Sequence, residues 1–532
     1  MGVYEAVVSL AKRRGFFNPS FEIYGGVSGF YDYGPLGCGL KRRIEEVWRD
    51  YYVRGEGFVE IETPTIAPEE VFKASSHLTH FADIMATCKR CGRVHKAAEL
   101  VGDQCPSCGA PMSKKPFNLM FKTGVAVEQR SCYLRPETAQ GMFIDFPLLY
   151  RYGRERLPLG VVQIGKSYRN EISPRHVLRL REFTIAEGEL FLDPLNLPPR
   201  YEEDIQRSGE QITLVPHHHE EIRGPIKEAV QRGLLTDTIA HYILLTHRYM
   251  LEVGVDPHRF RFRQHEPQEM AHYASDCWDG EALTERFGWV ELVGIADRTT
   301  YDLEAHSRHS GVDMRAFRRY PKPRVATRRA IRARPGVLGP MFREKAAPIK
   351  EMIEALEPDK VKEEGITISL EGQEILVPPE CYQIVDIEEK VAGERFIPRV
   401  IEPSYGIDRI FYVVLEHAYT QTGDRTLLRL PPKMAPVTVG VFPLMAKDGL
   451  DQRAQEISAA LRNMRITSMY DEDGSIGRRY ARADEIGVPY CVTTDYQTLE
   501  DDTVTIRDRD STEQRRVNRR ELVKSISTLL ER

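Results

Sequence analysis

The segment from residue 161 to residue 193 constrains the fold more than any other part of the chain. Val161-Val162-Gln163-Ile164 is a short apolar run, and residues 180–192 form a second run whose apolar members include Phe183, Ile185, Leu190 and Leu192. Between the two runs, residues 169–179 are strongly polar and include a proline. Two apolar runs joined by a charged loop predict an antiparallel β-hairpin.

The loop of this predicted hairpin has the side chains of a nucleotide site. Arg169-Asn170-Glu171 ends the first strand, and Arg179-Leu180-Arg181-Glu182-Phe183 begins the second. Guanidinium groups bind phosphate bidentately, a carboxylate can accept from an adenine amino group, and an aromatic ring can stack on a base. An Arg-Asn-Glu triplet alone is a surface fragment, but the arginines and aromatic ring on the facing strand favour nucleotide binding.

A second candidate site spans residues 401–411. A strand is predicted to end at Pro403, Gly406 allows close backbone approach, and a helix follows with Ile410 on its buried side. Arg409 lies in the first turn of that helix, where a cation opposes the helix dipole. Arg409 is either a surface arginine at an unfavourable position or an arginine that binds an anion. We prefer the second interpretation, because the helix N-terminus also attracts anions.

Four of the nine cysteines form two CxxC pairs separated by thirteen residues: Cys88, Cys91, Cys105 and Cys108. Each pair can offer two thiolates to one ion, and two pairs complete the tetrahedral sulfur shell that suits zinc. The N-terminus does not read as a secretory signal peptide, so a closed structural Zn²⁺ site is favoured over a disulfide.

The pattern of the chain changes after Pro431-Pro432. Strands are predicted at 437–441 and near 467–470, 490–494 and 503–507, with helices at 450–464 and near 519–531. This alternation predicts a separate α/β domain with a mostly parallel core. Upstream, we predict a helix at 40–52, a strand at 58–61, and a loosely packed helical insertion at about 199–280.

Composition indicates a globular protein without a membrane segment. Hydrophobic residues are 41% and charged residues 29% of the chain, whose net charge is −5. No stretch approaches the ~18 apolar residues of a membrane helix, so we expect a cytoplasmic protein.

Any RNA contact needs a local basic patch. Residues 315–334 hold nine Lys or Arg in twenty positions; they are either a solvated, salt-bridged surface or a contact for RNA phosphate.

In order along the chain, three segments resemble motifs 1, 2 and 3 of class II aminoacyl-tRNA synthetases: residues 40–68, Tyr168-Arg169-Asn170-Glu171 with its hairpin, and Gly406-Ile407-Asp408-Arg409. The region from Pro436 resembles the anticodon-binding domain of class IIa, most clearly at residues 474–487. The resemblance implies an α+β catalytic core built on an antiparallel sheet, the class II synthetase fold, over residues 1–430. It also implies a zinc insert at about 86–112, the insertion at about 199–280, a further insertion at about 315–385, and an α/β anticodon-binding domain at 433–532.

Within the class, the chain resembles the dimeric glycyl-tRNA synthetases of archaeal and eukaryotic type. The matching stretches are residues 31–37, 74–77, 134–141, 170–175 and 402–404. Among the departures from the family pattern, Ser76 stands where glycine is usual, and Gly188 stands where a bulky apolar residue is usual. The resemblance implies ATP-dependent attachment of glycine to tRNA(Gly) through glycyl-adenylate, by a homodimer whose interface includes motif 1.

The same resemblance implies a role for individual residues. Arg169 and Arg409 would be catalytic, holding the α- and γ-phosphates of ATP. The expected ATP-binding residues are Arg169, Asn170, Glu171, Arg179, Leu180, Arg181, Glu182, Phe183, Glu291, Leu292, Gly406, Asp408 and Arg409. The expected glycine-binding residues are Glu137, Phe183, Glu187, Glu402, Ser404 and Gly406. Glu291 could carry the Mg²⁺ of the ATP complex.

Three other interpretations remain open from the sequence. The chain could be another class IIa synthetase, for threonine, proline, serine or histidine, although Glu137, Glu187 and Glu402 argue for glycine. It could be a non-catalytic tRNA-binding paralogue, which would be expected to lose Arg169 and Arg409. A zinc-ribbon module that binds nucleic acid would explain residues 88–108 alone.

Overall fold

The computed structural model describes residues 2–361, 363–370 and 372–530. The chain divides into two compact units, residues 1–314 with 397–532 and residues 315–396. In the described residues, no helix combines the length and the apolar character that crossing a membrane requires.

A nine-stranded sheet forms the centre of the larger unit. In spatial order its strands are Ile222–Pro225, Gln211–Val215, Phe260–Gln264, Asp276–Thr284, Gly288–Thr299, Arg399–Gly406, Glu182–Leu192, Leu159–Tyr168 and Val59–Glu60. Two neighbouring pairs are parallel, Gln211–Val215 with Phe260–Gln264 and Leu159–Tyr168 with Val59–Glu60. The other pairs are antiparallel, which confirms the predicted α+β core on an antiparallel sheet.

The two faces of this sheet differ in chemistry because side chains alternate along a strand. Tyr405 points to one face, where its hydroxyl hydrogen-bonds Tyr52 at 2.7 Å and Thr246 at 2.6 Å. Helices Pro35–Arg49, Asp237–Val253 and Ile407–Ala418 pack together with this face and form the main apolar core. The neighbours of Tyr405 on its strand, Ser404 and Gly406, point to the opposite face, which is polar.

The motif 1 helix begins earlier than predicted, at Pro35 rather than residue 40. Proline is favoured at the first helical position because its missing N–H needs no partner there. The helix buries Leu40, Ile44 and Trp48, and a π-helical turn, Asp50–Gly55, continues it. The helical segment thus ends at Gly55 rather than at the predicted residue 52.

The prediction of a loosely packed helical insertion at 199–280 is wrong. Helices Pro199–Arg207, Ile226–Gln231 and Asp237–Val253 are present, but strands from this region supply one side of the central sheet. Thirteen of the 17 residues of Asp237–Val253 are buried, so the helix belongs to the core. The strands are short, and the pairing of Gln211–Val215 with Phe260–Gln264 joins residues far apart in sequence, which a local pattern does not show.

The C-terminal region forms a five-stranded sheet. Its spatial order is Ser468–Tyr470, Val439–Pro443, Tyr490–Thr494, Thr503–Asp508 and Gln514–Asn518. The first three strands are parallel, whereas Tyr490–Thr494 with Thr503–Asp508 and Thr503–Asp508 with Gln514–Asn518 are antiparallel pairs. The sheet is therefore mixed rather than mostly parallel. The edge strand Gln514–Asn518 is missing from the prediction because its side chains are mainly exposed and polar. Helices Leu450–Asn463, Ile476–Glu485, Tyr496–Asp501 and Leu522–Leu530 complete the region.

Smaller elements of the larger unit surround the central sheet. The remaining helices are Val3–Arg14, Glu69–Ala74, His77–His80, Ala139–Ile144, Phe146–Tyr152 and Tyr301–Ser310. Two three-stranded sheets comprise Ile66–Pro68, Lys122–Val125 and Arg130–Leu134, and Ala82–Cys88, Val94–Lys96 and Met112–Asn118. Two-stranded pairs are Phe17–Pro19 with Tyr31–Tyr33, and Tyr419–Thr422 with Arg425–Leu428.

The smaller unit is built on a long antiparallel ribbon. Strand Ala316–Ala333 pairs with Tyr382–Phe396, and a hairpin joins Ile366–Leu370 to Gln373–Val377. Helices Pro335–Phe342 and Ala346–Glu354 share an apolar core with the hairpin and the end of the ribbon. The unit extends to Phe396 rather than 385 because the returning strand pairs along the whole basic segment.

Candidate active site

The charged hairpin forms as predicted, and its loop end forms one wall of a cleft. Strands Leu159–Tyr168 and Glu182–Leu192 pair in continuous register, with Ser167 opposite Phe183. The cleft holds about 620 Å³ of space, counting its open mouth. It is lined by Arg169, Glu171, Val177, Leu178, Arg179, Leu180, Phe183, Thr184, Ile185, Glu291, Leu292, Ser404, Gly406, Asp408 and Arg409.

Most of the residues expected to bind ATP therefore meet at this one cleft. Asn170, Arg181 and Glu182 do not line it. Arg181 instead donates to the carbonyl oxygens of Glu171 and Ser28, and Glu182 pairs with Lys166 at 3.2 Å. These side chains hold the hairpin loop and its neighbours rather than facing the cleft.

Arg169 and Arg409 are held at the cleft by hydrogen bonds to protein carbonyl groups. The guanidinium of Arg169 lies 5.4 Å from the ring centre of Phe81 and 5.2 Å from that of Phe183. Its Nε donates to the carbonyl of Pro136 at 3.2 Å. Arg409 donates from Nε to the carbonyl of Leu178 at 3.0 Å and from Nη1 to that of Glu291 at 2.9 Å. Charges fixed in advance in this way can stabilise an anion without reorganisation.

Three further groups at the cleft are already engaged with protein partners. Arg409 lies 3.1 Å from the Glu291 carboxylate and lowers the pKa of that group, so Glu291 presents an ionised carboxylate, the type of group that hard cations prefer. Arg179 hydrogen-bonds Glu99. Asp408 accepts from the backbone N–H of Thr184 and the hydroxyl of Tyr33. The side chain of Asp408 therefore joins the motif 3 helix to the sheet.

Glu187 lies beside the cleft with both carboxylate oxygens hydrogen-bonded. Its Oε2 accepts from the Thr138 backbone at 2.5 Å, the Thr138 hydroxyl at 2.6 Å and the Ala139 backbone at 3.1 Å. Its Oε1 accepts from the Ser404 hydroxyl at 2.9 Å. The two backbone donors belong to the start of helix Ala139–Ile144, where N–H groups lack helical partners and favour a negative charge.

Arg298 connects the other carboxylates and is 1% exposed. It donates to both oxygens of Glu402, at 2.9 and 3.0 Å, and to both oxygens of Asp302, at 2.8 and 3.0 Å. The ring centre of Tyr273 lies 3.8 Å from its guanidinium carbon. Sequence reasoning missed Arg298 and Asp302. Their only sequence signal is an Arg at the end of the Glu291 strand, followed four positions later by an Asp.

Glu137 completes the cluster from a third segment of the chain. His77 Nε2 lies 3.4 Å from its carboxylate, and Gln140 donates to it at 2.9 Å. Gln140 also donates to Asp302 at 3.2 Å and contacts His306 Nε2 through its oxygen at 2.8 Å. Burial raises the pKa of Glu137, but His77 and Arg298 outweigh it and hold that pKa below its usual range.

The structure thus brings together the three acids and the serine that the sequence singled out. They meet around a buried arginine beside a cleft that carries two fixed arginines. Acidic groups can hold an ammonium ion by charge-assisted hydrogen bonds, and the arginines can hold phosphate. The site is therefore suited to a ligand pair in which one member has an amine and the other has phosphate groups.

Comparisons with known proteins identify the family. The chain is 46% identical to the glycine–tRNA ligase of Methanothrix thermoacetophila, over all of this chain and 97% of the relative. It is also 46% identical to that of Methanothermobacter thermautotrophicus, with 99% of both chains covered. The chain belongs to the glycine–tRNA ligase family.

Two further comparisons concern the domains of this family member. Residues 438–529 match the anticodon binding domain family. The prolyl-tRNA synthetase of Cryptosporidium parvum, solved with L-proline and AMP, is similar with a TM-score of 0.54 and 13% identity, covering 99% of this chain and 74% of that one. At that identity the likeness shows the fold alone, and it agrees with the predicted class II core.

In this glycine–tRNA ligase family member, the four grouped cysteines meet and can hold a metal ion. Sγ of Cys88 is 3.5 Å from that of Cys108, and Sγ of Cys91 is 3.7 Å from that of Cys105. A tetrahedron with zinc–sulfur bonds of about 2.3 Å has edges of about 3.8 Å, so these distances fit it. The backbone N–H groups of Cys91 and Arg90 donate to Cys88 and lower its pKa to about 6, which favours the thiolate that binds metal.

The departures from the family pattern at Ser76 and Gly188 have structural consequences. Ser76 has a φ of 63°, in the left-handed region that favours glycine, and its hydroxyl hydrogen-bonds Tyr301 at 3.0 Å. At Gly188, an added Cβ would lie 3.3 Å from Val162 and 3.7 Å from Pro403. The position is closely packed here, so a bulky side chain would displace its neighbours.

Proposed function

We propose that this chain attaches glycine to tRNA(Gly) in two steps. The glycine carboxylate attacks the α-phosphorus of ATP and expels pyrophosphate, which gives glycyl-adenylate. The terminal ribose hydroxyl of the tRNA then attacks the glycyl carbonyl and expels AMP. The single observation that carries the proposal is the meeting of Glu137, Glu187 and Glu402 beside the cleft of Arg169 and Arg409.

No protein nucleophile is required, since catalysis can come from position and charge. Arg169 would hold the α-phosphate, where negative charge develops, and Arg409 the γ-phosphate. Phe183 would stack on adenine, and Glu171 would accept from its amino group. Glu291 would be the protein ligand of Mg²⁺, an ion that neutralises phosphate charge when bound.

Glycine selection would depend on charge at the amine and on shape at Cα. Glu187 and Glu402 are 2% and 6% exposed, so an ammonium between them would be well desolvated. The hydroxyl of Ser404 is fixed by its 2.9 Å hydrogen bond to Glu187 and would form part of the wall beyond Cα. A larger amino acid would be excluded by this wall, and the small size of glycine makes a separate editing site unnecessary.

We further propose that Cys88, Cys91, Cys105 and Cys108 hold a structural Zn²⁺, and that the C-terminal domain binds the tRNA anticodon in the cytoplasm. The match to the anticodon binding domain family supports tRNA as the partner. The closed sulfur shell leaves no position for substrate, so the zinc would fix the strands that carry it.

A homodimer is the next part of the proposal. An apolar groove with about 750 Å³ of space lies along the motif 1 segment, and its lining includes Pro64, Ile66 and Ile144. Ile66 is 42% exposed and Ile144 is 39% exposed. A second copy of the chain is the occupant that the resemblance to dimeric relatives supports. Light scattering should find a dimer that Ile144→Glu weakens; a monomeric wild type would contradict this part.

ATP–pyrophosphate exchange with each amino acid in turn tests the main proposal. We expect exchange with glycine alone, and charging of tRNA(Gly) in a second assay. Exchange with threonine, proline, serine or histidine instead of glycine would assign the chain to another specificity. Absence of exchange with every amino acid, together with tRNA binding, would indicate a non-catalytic protein.

A further inference from the structure

Glu189 is a fully buried carboxyl group with an unusual lack of partners. It lies two residues after Glu187 on the same strand and has no exposed surface. Neither of its oxygens has a hydrogen-bond donor. An ionised carboxylate without partners is very costly to bury, and such groups take up a proton instead. The pairs and contacts that hold Glu187 and Glu402 do not extend to Glu189.

The strand register places Glu189 against a second carboxylate. Glu187 pairs with Ser404 and Leu190 pairs with Ile401, so the same register sets Glu189 opposite Glu402. Like charges directly opposite on neighbouring strands repel each other. Both oxygens of Glu402 accept from Arg298, at 2.9 and 3.0 Å, so Glu402 is the member that carries the negative charge. Glu189 is the member that keeps the proton.

The surroundings of Glu189 contain more carboxyl groups than cations. Its own strand supplies Glu187, the facing strand Glu402, and the helix after Arg298 supplies Asp302. On its other side, strand Leu159–Tyr168 places neutral Val161 opposite it. Arg298 is the guanidinium that lowers the pKa of this group, and it is already shared between Glu402 and Asp302.

Glu137 lies at the edge of the same cluster, with His77 Nε2 3.4 Å from its carboxylate. Burial and then Glu402 raise the pKa of Glu189 well above its usual range. Burial also raises the pKa of Glu402 to about 7, despite Arg298. The two carboxyls interact strongly and titrate as a coupled pair. The contact of Arg298 with both oxygens of Glu402 leaves the proton on Glu189.

We propose that Glu189 stores a proton in the empty amine pocket and releases it when the glycine ammonium binds. The inference rests on the proposed function and deepens it. The balance is simple: the neutral carboxylic acid becomes a carboxylate, one proton leaves to solvent, and one ammonium ion enters. The charge of the buried pocket is therefore the same before and after binding. The second carboxylate appears only when a cation is present to pair with it.

This replacement of a proton by an ammonium ion gives Glu189 a role in glycine recognition. A ligand that lacks an ammonium group cannot replace the proton, so it would leave Glu189 neutral and gain no ionic contact. Binding of glycine should weaken as the pH falls, because protons then compete with the ammonium ion for the pair. Below the apparent pKa of the pair the glycine KM should rise about tenfold per pH unit, and above it the KM should be constant.

Calorimetry of glycine binding in buffers of different ionisation enthalpy measures the released proton directly. Near neutral pH the amine of free glycine is already charged, so any released proton comes from the protein. We expect close to one proton per glycine for wild type and close to none for Glu189→Gln, which has the shape of the protonated acid. Glu210→Gln is the matched control, because Glu210 pairs with Arg248 at 2.7 Å outside the site; it should release as wild type does.

The pH profile of exchange gives a second readout. Glu189→Gln should raise the glycine KM at least several-fold at high pH and flatten its pH dependence, with kcat and the ATP KM changed less than twofold. Equal proton release in wild type and Glu189→Gln, or an unchanged glycine KM and slope, would overturn the inference alone. If Glu189→Gln does not fold, absence of proton release in wild type still overturns it. Failure of wild type to bind glycine would overturn the proposed function as well.

Discussion

Glu187→Gln tests most directly how the site would hold an amine. The substitution keeps the shape of the side chain and one acceptor oxygen. That oxygen can still accept from the Thr138 backbone and hydroxyl, which lie 2.5 and 2.6 Å from Oε2 in the native chain. The new amide N–H can donate to the Ser404 hydroxyl, which is 2.9 Å from Oε1 and can reverse its role as donor. The scaffold should therefore survive, and the melting temperature should change little.

The expected loss is the ionic part of one contact to the substrate ammonium. A hydrogen bond to a charged group contributes about 1.5–3 kcal/mol. At about 1.4 kcal/mol for each factor of ten, the glycine KM should rise about 10- to 150-fold. The ATP KM should stay within about twofold, because Glu187 does not line the cleft of Arg169 and Arg409.

The assay is ATP–pyrophosphate exchange with glycine and with alanine, on wild type, Glu187→Gln and Ser404→Gly. Discrimination against alanine should stay high in Glu187→Gln, because exclusion depends on shape at Cα. Ser404→Gly removes part of that wall. It should reduce the discrimination between glycine and alanine by at most about 1–3 kcal/mol, the range for one methyl group. A normal glycine KM in Glu187→Gln would refute the argument, as would a wild type that prefers another amino acid.

Other parts of the chain give three further predictions. Elemental analysis should find about one zinc per chain, with the cysteines of both CxxC pairs protected from alkylation in the folded protein; a metal-free protein with four reactive thiols would exclude the site. Arg169→Ala and Arg409→Ala should each lower exchange about 10²-fold or more, the scale of one lost preorganised contact, and near-normal exchange would remove that arginine from the mechanism. In the basic segment 315–334, Arg329→Ala should weaken tRNA binding and flatten its salt dependence. Arg328→Ala should have a smaller effect, because Arg328 already pairs with Glu389 at 2.8 Å. Unchanged tRNA binding in both variants would show that the segment is a solvated surface.

The sequence by itself determined the features that depend on short spacing. The two CxxC pairs, the antiparallel hairpin within residues 161–193 and the helix after Gly406 follow from local patterns of residue type. Glu137, Glu187 and Glu402 were also found, because each lies in a stretch that resembles a known motif. A local pattern carries this information because strand alternation, helix periodicity and metal-ligand spacing repeat over only a few residues.

Only the tertiary structure decided which charges meet and which stay free to act. Arg298 joins Glu402, which is 104 positions away, and Gln140 joins Asp302, which is 162 positions away. Arg179, an expected phosphate contact, is paired with Glu99. Glu189 is buried without a hydrogen-bond donor, and the carboxylate that it faces is set by the pairing of its strand with Arg399–Gly406. The physical reason is that the energy of a charge depends on its solvation and its nearest partners, and folding brings those partners from segments that no local spacing connects.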